Sequence, residues 1–322
     1  MTLQQKFPGI YFDDSLLVDS LDAIIFDCDG VLIDITKSYD STIIKTVQYI
    51  LDNFTDVTNG ITINHKIIDG FKSTGGFNDE VDLAYAAILC IVAAKKLQKD
   101  QMEFIFEVIR NADTSGIVSV EKYLNDIVDI SQIKNHLQYP GTHHDNPLYR
   151  IFDELFYGPE LYHKLFGMKS RFSESGLIKY DDVIVNSDLL EKLEKRFSRK
   201  IGMVTGRGYE SVKYPLQGLM EKFDLKNSLF LEDEPRSLAK PNPESLIRCI
   251  SGMNGTTTLY VGDSMEDFIM AKKVTETGRK VVFCGIIGSS KAPEEKLALF
   301  EQNGAILVID SINHLPKILN LE

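Results

Sequence analysis

The sequence predicts an α/β protein, a doubly wound parallel sheet whose first strand is followed by a long all-helical insertion. Three observations lead there. Six short apolar runs, rich in β-branched residues and followed by turn formers, read as buried parallel strands: Ala23–Asp27, Lys200–Val204, Leu229–Leu231, Thr258–Val261, Lys280–Cys284 and Ala305–Ile309. Five of the six fall after residue 199, and helix-like stretches such as Tyr209–Lys222, Pro243–Ser251 and Asp267–Thr275 lie between them, so the C-terminal half alternates strand and helix. The third observation is the segment from about Thr36 to Gly176, whose periodicity is helical and which holds few convincing strands.

Within that insertion the spacing predicts helices over Ser38–Asn53, Asn64–Phe71, Asn78–Lys96, Gln101–Asn111, Val120–Ile130 and Asn146–Leu165, with Asn78 and Ser119 as N-caps. The Pro- and Gly-containing stretch Gln138–Asn146 is its most polar break. The expected domains are therefore an α/β core formed by residues 1–36 and 177–322, and a helical domain of residues 37–176. No low-complexity linker joins them, so the hinge is expected at the two chain crossings, Asp34–Lys37 and Gly176–Asp182.

Composition narrows the functional classes. A chain of 322 residues is long enough for about two domains, and 43% hydrophobic with 25% charged residues is the balance of a globular protein. The longest apolar runs, Leu21–Phe26 and Leu83–Ala94, fall short of the ~20 residues a bilayer-spanning helix needs. Residues 1–14 lack the apolar stretch of a secretory signal, which points to the cytoplasm and away from the membrane. Thirty-five Lys and Arg against 47 Asp and Glu leave a net charge of −12, with the basic residues scattered, so nucleic acid is a poor partner. The four cysteines, Cys28, Cys90, Cys249 and Cys284, are widely spaced, which argues against zinc sites and disulfides. An acidic protein that accepts an anionic substrate needs a local cation or oriented N–H groups.

In an open parallel sheet, ligands sit at the carboxyl ends of the strands. The first strand ends in Phe26-Asp27-Cys28-Asp29-Gly30, two carboxylates two residues apart before a glycine turn. Such a pair is costly unless a cation or a proton is shared. The second ends in Thr205-Gly206-Arg207, a hydroxyl and a backbone N–H beside a glycine. After the third comes Lys240-Pro241, and the fourth closes with Gly262-Asp263-Ser264-Met265-Glu266-Asp267. Each is an ordinary loop by itself; together they supply acidic metal sites, a nucleophile, a phosphate cation and hydrogen-bond donors.

In identity, order and strand placement these four motifs resemble those of the haloacid dehalogenase superfamily of phosphotransferases, over residues ~20–36 and ~180–310. A helical insertion directly after the first motif resembles the C1 caps of its subfamily I, the phosphoglycolate phosphatase-like branch, although at about 140 residues it is longer than usual. The resemblance implies a Rossmann-like core in which Asp27 is the nucleophile and Asp29 the acid/base. It further implies that Thr205 binds the phosphoryl group, Lys240 steadies its charge, and Asp263 with Asp267 completes a Mg²⁺ site shared with Asp27 and Asp29. Gly30, Gly206 and Arg207 are candidates for substrate binding. So is Lys72, since Lys72-Ser73-Thr74-Gly75-Gly76-Phe77-Asn78 looks like the loop that such caps lower over the substrate. The chemistry agrees: a carboxylate attacks phosphorus and splits one hard hydrolysis into two displacements, and Mg²⁺ prefers oxygen ligands. The expected activity is a Mg²⁺-dependent phosphatase acting on a small phosphorylated metabolite, a phosphosugar or phospho-organic acid. A phosphomutase using the same aspartyl-phosphate and a non-catalytic phospholigand-binding module are the alternatives.

Weaker signals carry bland readings. Asp113-Thr114-Ser115-Gly116 hints at a calcium loop, but the twelfth position, which needs Glu, is Leu124. His143 and His144 stand in a Pro/Gly loop and read as solvent-exposed, while Cys28 reads as a packing residue on the strand face opposite the carboxylates. Arg207 either touches substrate or caps the following helix.

Overall fold

The computed structural model describes residues 3–57, 63–77 and 79–322. The chain divides into two compact units, one of Met1–Ile35 with Asp181–Glu322, the other of Thr36–Tyr180.

The first unit is a mostly parallel eight-stranded sheet. Its strands are β1 (Gln4–Phe7), β2 (Ile10–Phe12), β3 (Ala23–Phe26), β6 (Ile201–Thr205), β7 (Leu229–Phe230), β8 (Thr257–Gly262), β9 (Lys280–Ile286) and β10 (Leu307–Ile309), while β4 (Ile33–Asp34) and β5 (Asp182–Val183) form a separate antiparallel ladder where the chain leaves and re-enters the unit. The order across the sheet is β1-β2-β10-β9-β8-β3-β6-β7, with β10 through β7 all parallel and β2 and β1 added antiparallel at the edge. All six predicted strands are present. Strand period two sends alternate residues into two separate cores. Ile24, Phe26, Met203, Leu259 and Val261 pack against Leu189, Leu193 and Phe197 on one face. Ile25, Val204, Tyr260, Phe283 and Val308 pack against Leu246, Ile250, Ala271 and Phe300 on the other. Both faces are covered, which is why these strands read as near-continuous apolar runs.

Among the described residues the second unit is helical: α1 (Thr36–Phe54), α2 (His65–Ser73), α3 (Glu80–Lys96), α4 (Gln101–Asn111), α5 (Ile117–Asn125), α6 (Ser131–Leu137) and α7 (Pro147–Phe166). Helix α3 is its centre, buried without interruption from Leu83 to Ala94, as a helix apolar all round must be. Its N-cap is Asp79, whose side chain accepts from Val81 N; the expected cap, Asn78, lies outside the described residues. Ser119 does not cap α5: the helix starts earlier, after Gly116 (φ +62°), and Ser119 Oγ instead donates to Gly116 O at 2.7 Å. The expected helix Val120–Ile130 is thus shifted toward the N-terminus, and α6 was not foreseen.

Helices α8 (Ser187–Phe197), α9 (Tyr209–Leu216), α10 (Glu244–Gly252), α11 (Met265–Glu276), α12 (Pro293–Gln302) and the single turn α13 (Leu315–Ile318) belong to the α/β unit. The expected helix Tyr209–Lys222 breaks at Gln217, which has φ +47° two residues after Pro215, and continues as a tighter 3₁₀ turn. Among the described residues no helix is long and apolar enough to cross a membrane.

Candidate active site

Strand register brings the site together. Phe26 pairs with Met203 on one side and Val261 on the other, so the residues just beyond them end three adjacent strands at one level. Asp27 N continues the ladder by donating to Val261 O at 2.8 Å, Thr205 is the last residue of β6, and Asp263 follows β8 directly. Asp27, Thr205 and Asp267 are buried. After Asp27 the chain reverses. Leu32 N and Ile33 N donate to Cys28 O, and Gly30 N donates to Ile33 O at 2.8 Å. Cys28 packs in the core, where burial, with the neighbouring Asp29 carboxylate adding to it, pushes its thiol pKa well up.

Lys240, in the turn before α10, bridges two carboxylates: its Nζ lies 2.7 Å from Asp27 Oδ1 and 2.7 Å from Asp267 Oδ1. Asp267 is saturated. Its Oδ1 also accepts from Tyr260 OH at 2.6 Å, and its Oδ2 from Ser264 Oγ (2.7 Å) and Ser264 N (3.1 Å), while Asp267 N donates back to Ser264 Oγ in a reciprocal cap of α11. Burial pushes the Asp267 pKa up, but Lys240 and the hydroxyl donors outweigh it and hold the carboxyl below its usual value. Asp27 goes the other way. Burial, reinforced by the charges of Asp267, Asp263 and Asp29, overcomes Lys240 and holds Asp27 well above the usual carboxylate range. Of the two acids sharing one ammonium, Asp267 is thus favoured as the carboxylate, while Asp27 is pushed toward its protonated form.

The Asp29 carboxylate is held by an arginine. Arg207 is buried, with Nε 2.7 Å from Asp29 Oδ1 and Nη1 2.7 Å from Asp181 Oδ2. It does not cap α9, whose N-cap is Gly208; instead it fixes Asp29. Thr205 Oγ1 accepts from Arg207 N at 3.3 Å. A Cβ added at Gly206 would meet nothing within 4 Å, so that turn fronts open space.

Carboxylate oxygens of Asp27, Asp263 and Asp267 lie within 4.8 Å of one another. This all-oxygen set suits a hard divalent cation such as Mg²⁺. Gly30 leaves room beside it: at φ +71° only glycine is unstrained, and a Cβ there would stand 2.5 Å from Asp263 Oδ2. The residues fit an ion at Asp27 and Asp263, whereas the oxygens of Asp267 are taken by four protein donors.

Two residues without a motif also reach this place, Ser289 from the loop after β9 and Lys296 from α12. Ser289 Oγ donates to Gly30 O at 3.0 Å, and Lys296 Nζ stands 2.9 Å from Asp263 Oδ2. With Tyr260 and Asp181 they are the site residues that sequence reasoning missed. Lys72, the candidate from the helical unit, has its Nζ 3.3 Å from Glu80 Oε1. His143 is less exposed than expected, its Nδ1 lying 2.8 Å from the buried Asp153 carboxylate.

Comparison with known proteins agrees with this architecture. Residues 180–275 match the haloacid dehalogenase-like hydrolase family. Among solved structures, phosphatase Tt82 from Thermococcus thioreducens is similar at a TM-score of 0.57 and 22% identity, over 88% of this chain and 99% of that one. A haloacid dehalogenase hydrolase of family IA, variant 3, from Entamoeba histolytica has a TM-score of 0.50 and 15% identity, over 94% and 99% of the two chains. At these identities the likeness is one of fold. No curated protein matches the chain. The motifs on the strand ends and the fold of the α/β unit agree with the match of residues 180–275 to the haloacid dehalogenase-like hydrolase family.

Proposed function

We propose that the chain is a Mg²⁺-dependent phosphatase that hydrolyses a small phosphomonoester through an aspartyl-phosphate on Asp27. The observation that carries this reading is the convergence of Asp27, Thr205 and Asp263 at the ends of adjacent parallel strands, with Lys240 Nζ, from the turn before α10, 2.7 Å from Asp27 Oδ1.

In the first displacement an Asp27 oxygen attacks phosphorus, a P–O bond forms and the ester P–O bond breaks. Asp29, oriented by Arg207, gives its proton to the departing alkoxide. In the second, Asp29 takes a proton from water as that water attacks phosphorus, which releases phosphate and restores the Asp27 carboxylate. Thr205 Oγ1, the Gly206 N–H and Lys240 bind the phosphoryl oxygens, where charge spreads in the transition state. Gly30 keeps the approach to Asp263 clear. Mg²⁺, held by Asp27, Asp263 and the Asp29 carbonyl, would draw charge from the phosphoryl group when bound. Asp267, in the same carboxylate cluster, anchors Lys240.

Lys72 is proposed to read an anionic group on the leaving portion of the substrate, a phosphosugar or phospho-organic acid. Its replacement by Ala is then expected to raise KM for such a substrate roughly 10-fold while sparing para-nitrophenyl phosphate. Four buried free cysteines support a reducing, cytoplasmic setting.

The test is phosphate release from a panel of metabolite monoesters with and without Mg²⁺. Release that chelator abolishes, Mg²⁺ restores and Asp27→Asn eliminates is the expected result. Turnover only in the presence of a bisphosphate primer, with no net phosphate, would make the protein a mutase.

A further inference from the structure

We infer that Lys296 is a built-in counter-ion that competes with the divalent cation for Asp263 and so sets how tightly this protein binds metal. The inference rests on the reading of Asp27 and Asp263 as the cation site. Lys296 lies on α12, outside all four strand-end motifs, 33 residues from its partner in sequence. Its Nζ is 2.9 Å from Asp263 Oδ2, and both side chains are largely covered, at 18% and 25% exposure. The oxygen it holds is the one that faces Gly30, whose missing Cβ leaves the clearance beside the acidic cluster.

Local structure offers no other reason for a lysine at this position. Lys296 is in the first turns of α12, where its N–H donates to Ala292 O. A helix N-terminus favours anions, as Glu294 and Glu295 there illustrate, and disfavours an ammonium. The Asp263 carboxylate offsets that cost. The placement is also enforced by the backbone. Ile287 N and Gly288 N donate to Ile309 O and Asp310 O, and Ser290 N donates to Ile287 O, so the segment leading into α12 is pinned to the end of β10. Ser289 Oγ adds a bond to Gly30 O. Loop and helix thus hold one positive charge against the carboxylate that a cation needs.

The charge balance gives the direction. Asp27, Asp263 and Asp267 bring three carboxylates into one cluster, and Lys240 is engaged by the first and third. Lys296 neutralises the second. A cation arriving at Asp263 must displace the ammonium or accept its repulsion at short range in a partly desolvated place, where Coulomb terms exceed their value in water. Removing the ammonium therefore strengthens metal binding, the reverse of what loss of a residue that merely positions Asp263 would do.

The test is isothermal titration of Mg²⁺, without substrate, into the chelator-treated full-length protein, its Lys296→Met and Lys296→Gln variants, and Asp263→Asn. The expected result is a Kd at least fivefold lower in both Lys296 variants than in the native protein and no binding in Asp263→Asn. A larger Mg²⁺-induced rise in thermal midpoint for the Lys296 variants is the second readout. Native-like or weaker Mg²⁺ binding in variants that unfold cooperatively would overturn the counter-ion role while leaving the cation site standing. Absence of Mg²⁺ binding in the native protein and in both Lys296 variants would overturn the cation site and this inference with it.

Discussion

Asp27 and Asp267 share one ammonium, each with an Oδ1 2.7 Å from Lys240 Nζ, and their pKa values move in opposite directions. The asymmetry comes from the other donors: Asp267 accepts from Tyr260 and twice from Ser264, whereas Asp27 faces three further carboxylates. One acid is made a permanent anchor. The other is pushed toward its protonated form, and a divalent cation beside it would favour the carboxylate.

Replacing Lys240 with Met leaves both buried carboxylates without their cation. Breaking a buried ion pair from one side costs about 3–5 kcal/mol, and proton uptake by Asp27 lowers that cost. A loss of about 3 kcal/mol in unfolding free energy at pH 7–8 is expected from urea denaturation in chelator. The loss should shrink as pH falls, because protonation removes the unpaired charges. Turnover should drop at least 100-fold.

A second pH effect lies at the opposite end of the sheet's central strands. Burial pushes the Asp22 pKa up, but Lys200 Nζ at 2.8 Å and the N–H groups of Thr257 and Thr256 outweigh it and hold it at about 2. The folded pKa lies below the unfolded value near 3.9, so the native state binds fewer protons. The stabilisation is complete above about pH 5 and is lost as pH falls toward 2. Asp22→Asn is expected to cost about 1–2 kcal/mol at pH 7. The gap between variant and native protein should close on acidification in pH-dependent urea unfolding.

Gly30→Ala forces a side chain into a left-handed backbone and to 2.5 Å from Asp263 Oδ2. The backbone penalty alone is about 1 kcal/mol. Displacement of Asp263 should do more, so phosphate release is expected to fall at least 100-fold while the thermal midpoint drops by only a few degrees. A variant with normal turnover would show that the clearance beside Asp263 is not used.

What the sequence made legible follows from where the determinants are local. Asp27, Thr205 and Asp263 sit at strand ends, where a parallel strand buried on both faces announces itself as an apolar run that stops at a turn, and Lys240 stands beside a proline in the turn before α10. The six core strands and the helical character of residues 36–180 could be read the same way. Strands β1 and β2 could not, because Gln4-Gln5-Lys6-Phe7 is polar and gains its conformation only by pairing through β2 to β10. Helix α5 was displaced because Gly116 starts it from a left-handed conformation, which reads as a turn. Lys296, Asp181 and Tyr260 were invisible for a related reason. Each is a single polar residue without a motif, and its partner is chosen by tertiary folding: Asp181 meets Arg207 across 26 positions of sequence. Arg207 stands out in its motif, but that it orients Asp29 depends on Asp181.

The central claim is that Asp27 carries the phosphoryl group. Borohydride reduces an acyl phosphate to an alcohol, so quenching the enzyme with borohydride during turnover of its best monoester and mapping the peptides by mass spectrometry reads the claim directly. Conversion of residue 27 to homoserine, dependent on substrate and absent in Asp27→Asn, is the expected result. Turnover with Asp27 unmodified, or with the label on another residue, would contradict it.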